Sequence, residues 1–404
     1  MRHSRTILGV TILLWLAGAL GWLPLAGLCT DARGASAFST TFWVNTEYLL
    51  WLPKDSPMPV QLLTTGPEAD PLPELPGLLN TETLFGGQPL DYPMTSGMRI
   101  EGGWWFSSAM PMAIEAGFFK LGERSTSYHG DGGENGQVFL GEPFFDANTG
   151  TPGFFPVSGS LGMTGVIDAQ NSIGIWGWEA NLAVAAYGFI GTAAHGLIGF
   201  RSVGVDEDLS IDSTIWNLEQ GGGATFLGTS VDPSDRIQIT DRFHAHNRFY
   251  GPQLGARLLW EVGPFMVTLL GKVAVGVSQE LVIVEGASTL ARSDSTLASA
   301  AGGVYAQASN MGRYFENEFA MVPEGRIDIG YNLSQNIQIH IGYTFLYWSN
   351  VVRPGDVVDP TINPAIVPTS AGYNQAAAAG SPSINFNGSD FCAQGGEVGL
   401  TVRF

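Results

Sequence analysis

Ten short segments of this chain alternate apolar and polar side chains, and the connections between them are long and short in turn. The segments are 44–51, 97–106, 112–121, 173–185, 195–205, 253–260, 265–284, 324–333, 336–348 and 397–404. The long connections are 53–95, 122–171, 206–248, 285–318 and 349–391, and the short ones are 107–111, 188–192, 261–264 and 334–336. Period-two alternation is the signature of a strand that has two different faces. Regular alternation of long and short connections is typical of membrane barrels, which have long external loops and short periplasmic turns. The pattern predicts an all-β fold, a single antiparallel transmembrane β-barrel of about ten strands, with eight or twelve as alternatives.

Membrane crossing by helices is disfavoured by the sequence. After the first 37 residues, no run of 18 apolar residues is free of charge, and the best candidate, which starts at Phe265, is interrupted by Lys272 and Glu280. A closed barrel is the other backbone arrangement that hydrocarbon tolerates. We therefore expect the chain to lie in the lipid of an outer membrane. Counted back from a C-terminus in the periplasm, ten strands also place the N-terminus in the periplasm.

The N-terminal residues 1–37 have the features of a cleaved signal peptide. A basic start is followed by an apolar run and by Ala35-Ser36-Ala37, a small-x-small site. An uncleaved membrane anchor is the alternative; a lipoprotein at Cys29 is disfavoured because Leu28 precedes it. Cleavage removes three basic residues and one acidic residue, which takes the net charge from −19 to −21. So acidic a domain, residues 38–404, is not expected to bind nucleic acid.

Strand parity places both signs of charge inside the predicted barrel. The inward charges include Arg99, Glu101, Glu115, Glu179, Arg257, Lys272, Arg326, Asp328 and Arg403, together with Glu47, Arg201, Glu280, Glu324 and Glu397. A ten-stranded barrel is narrow, so buried charges inside it must be paired. The favoured function is a structural or surface barrel with a lumen filled by ion-paired side chains. The alternative is a narrow channel for small solutes or ions.

The last strand has the pattern of an outer-membrane insertion signal. Val398, Leu400, Val402 and Phe404 share one face, and the chain ends on an aromatic residue. We expect this strand to be recognised by the outer-membrane insertion machinery. Nothing in the sequence fixes the oligomeric state.

The segment "YTFLYWSNVVRPGDVVDP" changes from aromatic to turn-forming residues. Tyr343, Phe345 and Tyr347 share one face and are predicted to form an aromatic girdle at the lipid boundary. Beyond it, Arg353, Pro354, Gly355 and Asp356 are predicted to form a loop turn in which Arg353 pairs with Asp356. Such a pair would contribute little if it were exposed.

Two histidines and nearby carboxylates offer the candidates for chemistry. Asp241, His244 and His246 could form an acid–histidine dyad of a hydrolase at the external rim. Asp206 and Asp208 offer oxygen ligands that suit divalent cations, although they lack the spacing of a dedicated calcium loop. Solvated side chains are the favoured interpretation of both groups. We therefore predict no enzymatic activity and no cofactor. The alternative to the absence of a cofactor is the binding of divalent cations.

Three segments carry a resemblance to a known family. They are "WVNTEYLLWLPKDSPMPVQLLTTG", "YTFLYWSNVVRPGDVVDPTINP" and "FCAQGGEVGLTVRF". The chain resembles the planctomycete-type outer-membrane beta-barrel protein family seven, formerly a domain of unknown function, over essentially its whole mature length. Here Val357 and Val358 follow Asp356, where the family tends to have polar residues. The resemblance implies an outer-membrane barrel but brings no ligand, activity or catalytic residue.

Overall fold

The fold is that of a closed β-barrel with a folded cap. A computed structural model describes residues 42–66, 82–107, 110–159, 162–186, 191–218, 223–377 and 380–404. The predicted signal peptide, 1–37, lies outside these residues. Among the described residues, no α-helix has the length and apolar character needed to cross a membrane.

Ten strands form the barrel. In chain order they are β1 Phe42–Pro53, β2 Thr95–Ser107, β3 Met110–Leu121, β4 Met163–Ala186, β5 Thr192–Asn217, β6 Arg236–Val262, β7 Phe265–Ala291, β8 Gly312–Asn332, β9 Ile337–Val352 and β10 Gly388–Arg403. Each strand pairs antiparallel with its neighbours in sequence, and β10 pairs with β1, so that Tyr48 lies opposite Val398. The ring closes without a free strand, which confirms the predicted antiparallel barrel of about ten strands.

The middle strands are much longer than predicted. β5 continues to Asn217 and β6 begins at Arg236, so most of the predicted loop 206–248 is strand. The physical reason is a change of face. Near the short turns the apolar residues of β5 point outward, as Ile198 does, whereas further along the strand they point inward, as Leu209 and Ile211 do. The outward positions there are polar because they have left the lipid.

The cap closes the barrel at the end that carries the long connections. Its sheet consists of Gln61–Thr65, Glu82–Gly86, Leu140–Asp146, Pro152–Ser158 and Thr361–Ile362. The one-turn helix α1, Pro354–Val357, and the 3-10 helix Pro364–Ile366 complete it. Apolar side chains of this sheet and of the extended barrel wall, such as Leu62, Phe144 and Phe243, form one buried cluster, the cap core. Within the described residues, the long connections therefore contribute strands and short helices to a folded cap.

Two further short strands extend the wall, and a separate hairpin lies outside the barrel sheet. Arg124–Asp131 pairs with the upper half of β4, above the point where β3 ends. Leu297–Ala301 pairs with the end of β7, and the strands Thr225–Phe226 and Thr229–Ser230 form a small hairpin.

Candidate functional site in the barrel interior

Arg326 lies at the centre of an ion-pair network inside the barrel. Its guanidinium contacts four carboxylates, with nitrogen–oxygen distances of 2.9 Å to Glu47, 3.1 Å to Glu101, 2.7 Å to Asp328 and 3.5 Å to Glu397. An arginine offers five N–H donors in a fixed plane, so one side chain can serve several acceptors. β8 thus joins carboxylates from β1, β2 and β10 across the lumen.

Other cations neutralise the remaining carboxylates of the interior. Arg99 Nη1 lies 2.9 Å from Glu47 Oε2 and 3.3 Å from Glu397 Oε2. Lys272 Nζ lies 2.7 Å from Glu179 Oε2 and 3.2 Å from Glu324 Oε1. Pairing offsets the large desolvation cost of these buried charges.

Two further pairs complete what we call the charged layer. Arg257 holds Glu115 with two parallel hydrogen bonds of 2.7 and 2.8 Å, and Arg201 pairs with Glu324. The layer consists of Glu47, Arg99, Glu101, Glu115, Glu179, Arg201, Arg257, Lys272, Glu324, Arg326, Asp328 and Glu397. The structure therefore brings together the inward charges that strand parity selected, with two exceptions. Glu280 of β7 lies further along the barrel, opposite Glu316 of β8. Arg403 lies near the short-turn end, where it donates to Gln338 Oε1 at 3.2 Å.

Other polar side chains complete the network. His340 Nε2 lies 3.2 Å from Glu47 Oε1, and Thr344 Oγ1 donates to Glu397 Oε2 at 2.8 Å. Asn45 Nδ2 donates to Glu47 Oε1 at 2.6 Å. Each of them occupies an inward position of its strand, as the alternation along β9 predicts for His340 and Thr344.

A small cavity lies within the charged layer. A cavity with a volume of about 10 Å³ lies among Arg99, Glu101, Glu179, Arg201, Lys272 and Glu324. A water molecule needs roughly this volume.

A layer of large apolar side chains lies above the charged layer. Trp51, Phe119, Phe249, Trp348 and Phe391 are buried there, and we call them the aromatic layer. The rings of Phe249 and Trp348 meet edge to face with centroids 6.0 Å apart, while Arg99 lies 5.3 Å from the centre of the Trp51 ring. Trp348 thus points inward. The aromatic layer separates the charged layer from the cap.

Arg353 connects the cap to the barrel wall, which corrects the predicted pairing in the loop turn. Its side chain is fully buried and pairs with Glu207 of β5, with Nη2 at 2.6 Å from Oε1. Tyr92 also donates to Glu207 Oε1, at 2.8 Å. Asp356 contacts Arg353 through the backbone, where its N–H donates to the Arg353 carbonyl oxygen. The predicted side-chain partner was wrong because the turn folds back into the barrel instead of leaving it.

The rest of the turn is also buried. Pro354 is the first residue of α1. A backbone N–H at this position has no acceptor within the helix, so proline, which lacks the N–H, is well tolerated there. Gly355 lies so close to Pro57 that a Cβ atom would be 2.0 Å from its carbonyl oxygen. The turn therefore requires both residues for packing.

The structure separates the predicted catalytic residues. Asp241 points inward and accepts hydrogen bonds from the backbone N–H groups of Val304, Tyr305 and Ala306. His244 and His246 point outward on the same strand, because their positions have the opposite parity. Asp241 therefore forms no dyad with either histidine.

Each outward histidine has its own carboxylate on β5. His244 Nδ1 pairs with Asp208, and His246 Nδ1 lies 2.6 Å from Asp206 Oδ1. Arg248 also donates to Asp206 Oδ1, at 2.7 Å. These carboxylates are occupied by side-chain donors, and in the described part of the chain no group of three or more potential ligands is arranged to hold a metal ion.

The cap core holds an unusual buried carboxyl group. Ser213 Oγ donates to Glu142 Oε1 at 2.5 Å, while Glu142 Oε2 has no hydrogen-bond partner among the described residues. Burial and the nearby charge of Asp241 raise the pKa of Glu142 to about 8. The cap thus contains a carboxyl that is neutral at moderate pH.

The outer surface of the barrel is apolar where the lipid is expected. Tyr343 is 46% exposed and Phe345 and Tyr347 are partly exposed on the same outward face of β9. Val398, Leu400 and Phe404 are exposed on β10, with Val402 partly so. A closed antiparallel barrel with an apolar outside and an ion-paired inside defines an integral outer-membrane β-barrel protein.

Within that class, the chain belongs to the family described as Putative beta barrel porin-7 (BBP7), whose sequence pattern matches residues 43–404. This confirms the outer-membrane barrel family of the resemblance, whereas its planctomycete type stays a prediction. The protein lies in the lipid of an outer membrane.

Solved structures with a similar fold are distant in sequence. The outer membrane protease OmpT of Escherichia coli has 10% identity and a TM-score of 0.38, with 91% of this chain and 98% of OmpT covered. A mutant of the TodX monoaromatic hydrocarbon channel has 8% identity and a TM-score of 0.22, with 95% of each chain covered. The translocator domain of NalP from Neisseria meningitidis has 8% identity and a TM-score of 0.20, with 99% and 96% covered. None of the curated proteins compared matches the sequence.

Proposed function

We propose that the protein is a sealed outer-membrane barrel that presents its cap at the cell surface. The observation that carries this proposal is the filled interior: the charged layer, the aromatic layer and the cap core follow one another along the barrel. In this orientation the short turns and both termini face the periplasm. The apolar face of β10, which ends at Phe404, is then available to the insertion machinery.

The aromatic layer is the strongest barrier to ions. An ion that crosses it must lose its water, and the apolar side chains offer no replacement ligands. Each cation of the charged layer is also held by carboxylates from other strands, so opening a path would break several buried ion pairs together. We therefore expect the resting protein not to conduct.

Conductance across a planar lipid bilayer tests the proposal. The mature chain, refolded and shown to be folded by heat-modifiable gel migration, is expected to give no discrete current steps. Steps that disappear after heat denaturation would overturn the proposal.

A matched variant shows that the assay can detect an opened barrel. The double variant Phe249→Ala, Trp348→Ala removes two large rings that contact each other in the aromatic layer. We expect it to remain heat-modifiable and to show small current steps, because water can then enter the layer. A control variant at the lipid surface, Phe319→Ala, leaves the layer intact and is expected to stay silent.

A narrow channel is the second candidate, and the description of the family as a porin favours it. It requires the aromatic layer and the cap to move apart. Swelling of proteoliposomes in small sugars, measured in parallel with the currents, would reveal neutral solutes that carry no current. Swelling of liposomes that contain the wild-type protein would support this candidate over the sealed barrel.

A surface hydrolase is the third candidate, and it rests on the two outward histidine–aspartate pairs. A histidine held by a carboxylate can act as a general base. We expect no hydrolysis of a peptide library by the wild-type protein. Hydrolysis that is lost in both His244→Ala and His246→Ala would establish this activity instead.

A further inference from the structure

The wall of the barrel is split between β8 and β9. Their pairing runs from Asn332 opposite Gln338 to Glu324 opposite Leu346 and ends there. β8 continues to Gly312 and stays paired with β7 over this whole length. Among the described residues, the side of β8 that faces β9 therefore has no ladder partner above Glu324.

The sequence explains where the two strands part. Pro323 of β8 is the neighbour of Glu324, where the pairing with β9 ends. Proline has no N–H to donate to a ladder. On β9 the register against β10 shifts between Trp348 and Val351, so Ser349 and Asn350 form a bulge. Their side chains reach across the gap: Ser349 Oγ accepts from the Met321 N–H at 2.9 Å, and Asn350 Nδ2 donates to the Phe319 carbonyl oxygen at 3.3 Å.

Two glutamates of β8 flank this gap on the inner face, and a third glutamate lies beside them on β7. Glu316 and Glu318 have the inward parity of β8, yet Glu318 is exposed and Glu316 is partly exposed, because no β9 ladder covers them. Glu280 of β7 lies directly opposite Glu316 in the register. Like charges directly opposite each other on one face destabilise a sheet.

Glu280 indicates that the cluster is incomplete without a cation. Its side chain is 1% exposed, and its Oε1 has no hydrogen-bond partner among the described residues. Both glutamates of β8 are close enough to repel its charge. A buried carboxylate oxygen without a donor is costly, and a bound donor with positive charge would remove this cost.

The chemistry of the donor set favours an organic cation over a metal. Within the described residues, no three acidic or histidine side chains converge as metal ligands. An ammonium group carries three N–H donors, and a guanidinium group carries five. Either group can therefore bridge carboxylates that are too far apart to coordinate one metal ion.

We propose that the crevice between β8 and β9 binds an alkylammonium or guanidinium group through Glu280, Glu316 and Glu318. The crevice lies beyond the bridge that Ser349 and Asn350 make to Met321 and Phe319, whose side chains are 45% and 67% exposed on the outward face of β8. Because such apolar residues mark the lipid boundary, the crevice lies at the height of the headgroups. The cation can come from the amine of a lipid headgroup or from a soluble polyamine.

Titration calorimetry with spermidine, on the folded full mature chain in a neutral maltoside detergent, tests the soluble source. Native mass spectrometry after extraction from nanodiscs of phosphatidylcholine with added phosphatidylethanolamine tests the lipid source. We expect the wild-type protein to bind spermidine or to retain phosphatidylethanolamine. Binding should fall at least tenfold in Glu280→Gln and in the double variant Glu316→Gln, Glu318→Gln, since a charge-assisted hydrogen bond is lost.

The matched control is Glu285→Gln, which removes the same charge from an exposed position of the same strand, β7. It is expected to bind as the wild-type protein does. Heat-modifiable migration of every variant shows that the barrel is folded. The proposal is overturned if the wild-type protein binds neither ligand, or if the crevice variants and Glu285→Gln bind equally well.

Discussion

Replacement of Arg353 by methionine is expected to release the cap from the barrel wall. Methionine keeps most of the side-chain length but removes the charge, and Glu207 is left buried with only the Tyr92 hydroxyl as a described side-chain donor. Loss of one partner of a buried ion pair costs about 3–5 kcal/mol. For a urea dependence of about 3 kcal/mol/M, the midpoint of unfolding should fall by about 1–2 M.

Urea unfolding in lipid vesicles, followed by tryptophan fluorescence, measures this change. Limited proteolysis reports on the cap, and heat-modifiable migration reports on the barrel. We expect the cap of Arg353→Met to become sensitive to protease while the barrel remains folded. The control is Arg313→Met, which removes an exposed arginine from β8 and should shift the midpoint little.

A second variant separates the ion pair from simple packing. In the double variant Arg353→Met, Glu207→Gln no unpaired charge remains, so the loss of stability should be smaller than in Arg353→Met alone. If the double variant is as unstable as the sum of the two single variants, the ion pair does not hold the cap and the reasoning is wrong.

Two further predictions concern the cap core and the charged layer. Because the pKa of Glu142 is raised to about 8 from 4.5, the folded protein holds a proton that the unfolded chain releases, and stability should fall as the pH rises from 4.5 to 8. The slope approaches about 1.4 kcal/mol per pH unit, and Glu142→Gln should abolish this contribution in urea unfolding measured at several pH values. In the charged layer, Gly342→Ala should destabilise the barrel by about 1–3 kcal/mol, since a Cβ atom there would be 2.1 Å from Asp328 Oδ1. Gly271→Ala, which has no atom within 4 Å of its Cβ position, is the control, and equal unfolding midpoints for both variants would contradict the packing described for the layer.

The barrel could be predicted from the sequence because parity is a local property. Lipid outside and a narrow lumen inside fix the side of each residue, so Lys272 and Arg326 were correctly expected to point inward. Beyond the lipid the outward side chains are polar and the apolar side chains point inward. In β5 this change occurs between Ile198 and Leu209, so a pattern of outward apolar residues ends before the strand does.

The contacts of the cap could not be predicted in the same way. Arg353 and Glu207 are separated by 146 positions, and the pair exists because a turn folds back into the barrel. Local spacing offered Asp356 as the nearer partner. The separation of β8 from β9 likewise depends on the bulge at Ser349. The effect of this bulge on the neighbouring strand cannot be read from the sequence of either strand alone.

The length of β6 and β7 gives the protein a use as a scaffold. Each has 27 residues, whereas about ten suffice to cross the lipid. At about 3.3 Å per residue and a tilt near 40°, the remainder extends roughly 40 Å beyond the membrane. The exposed turn 292–296 lies at the far end of β7, where Ser295 has a φ of 68°. A foreign domain inserted into this turn would be displayed at the end of a long β-hairpin, well clear of the lipid surface.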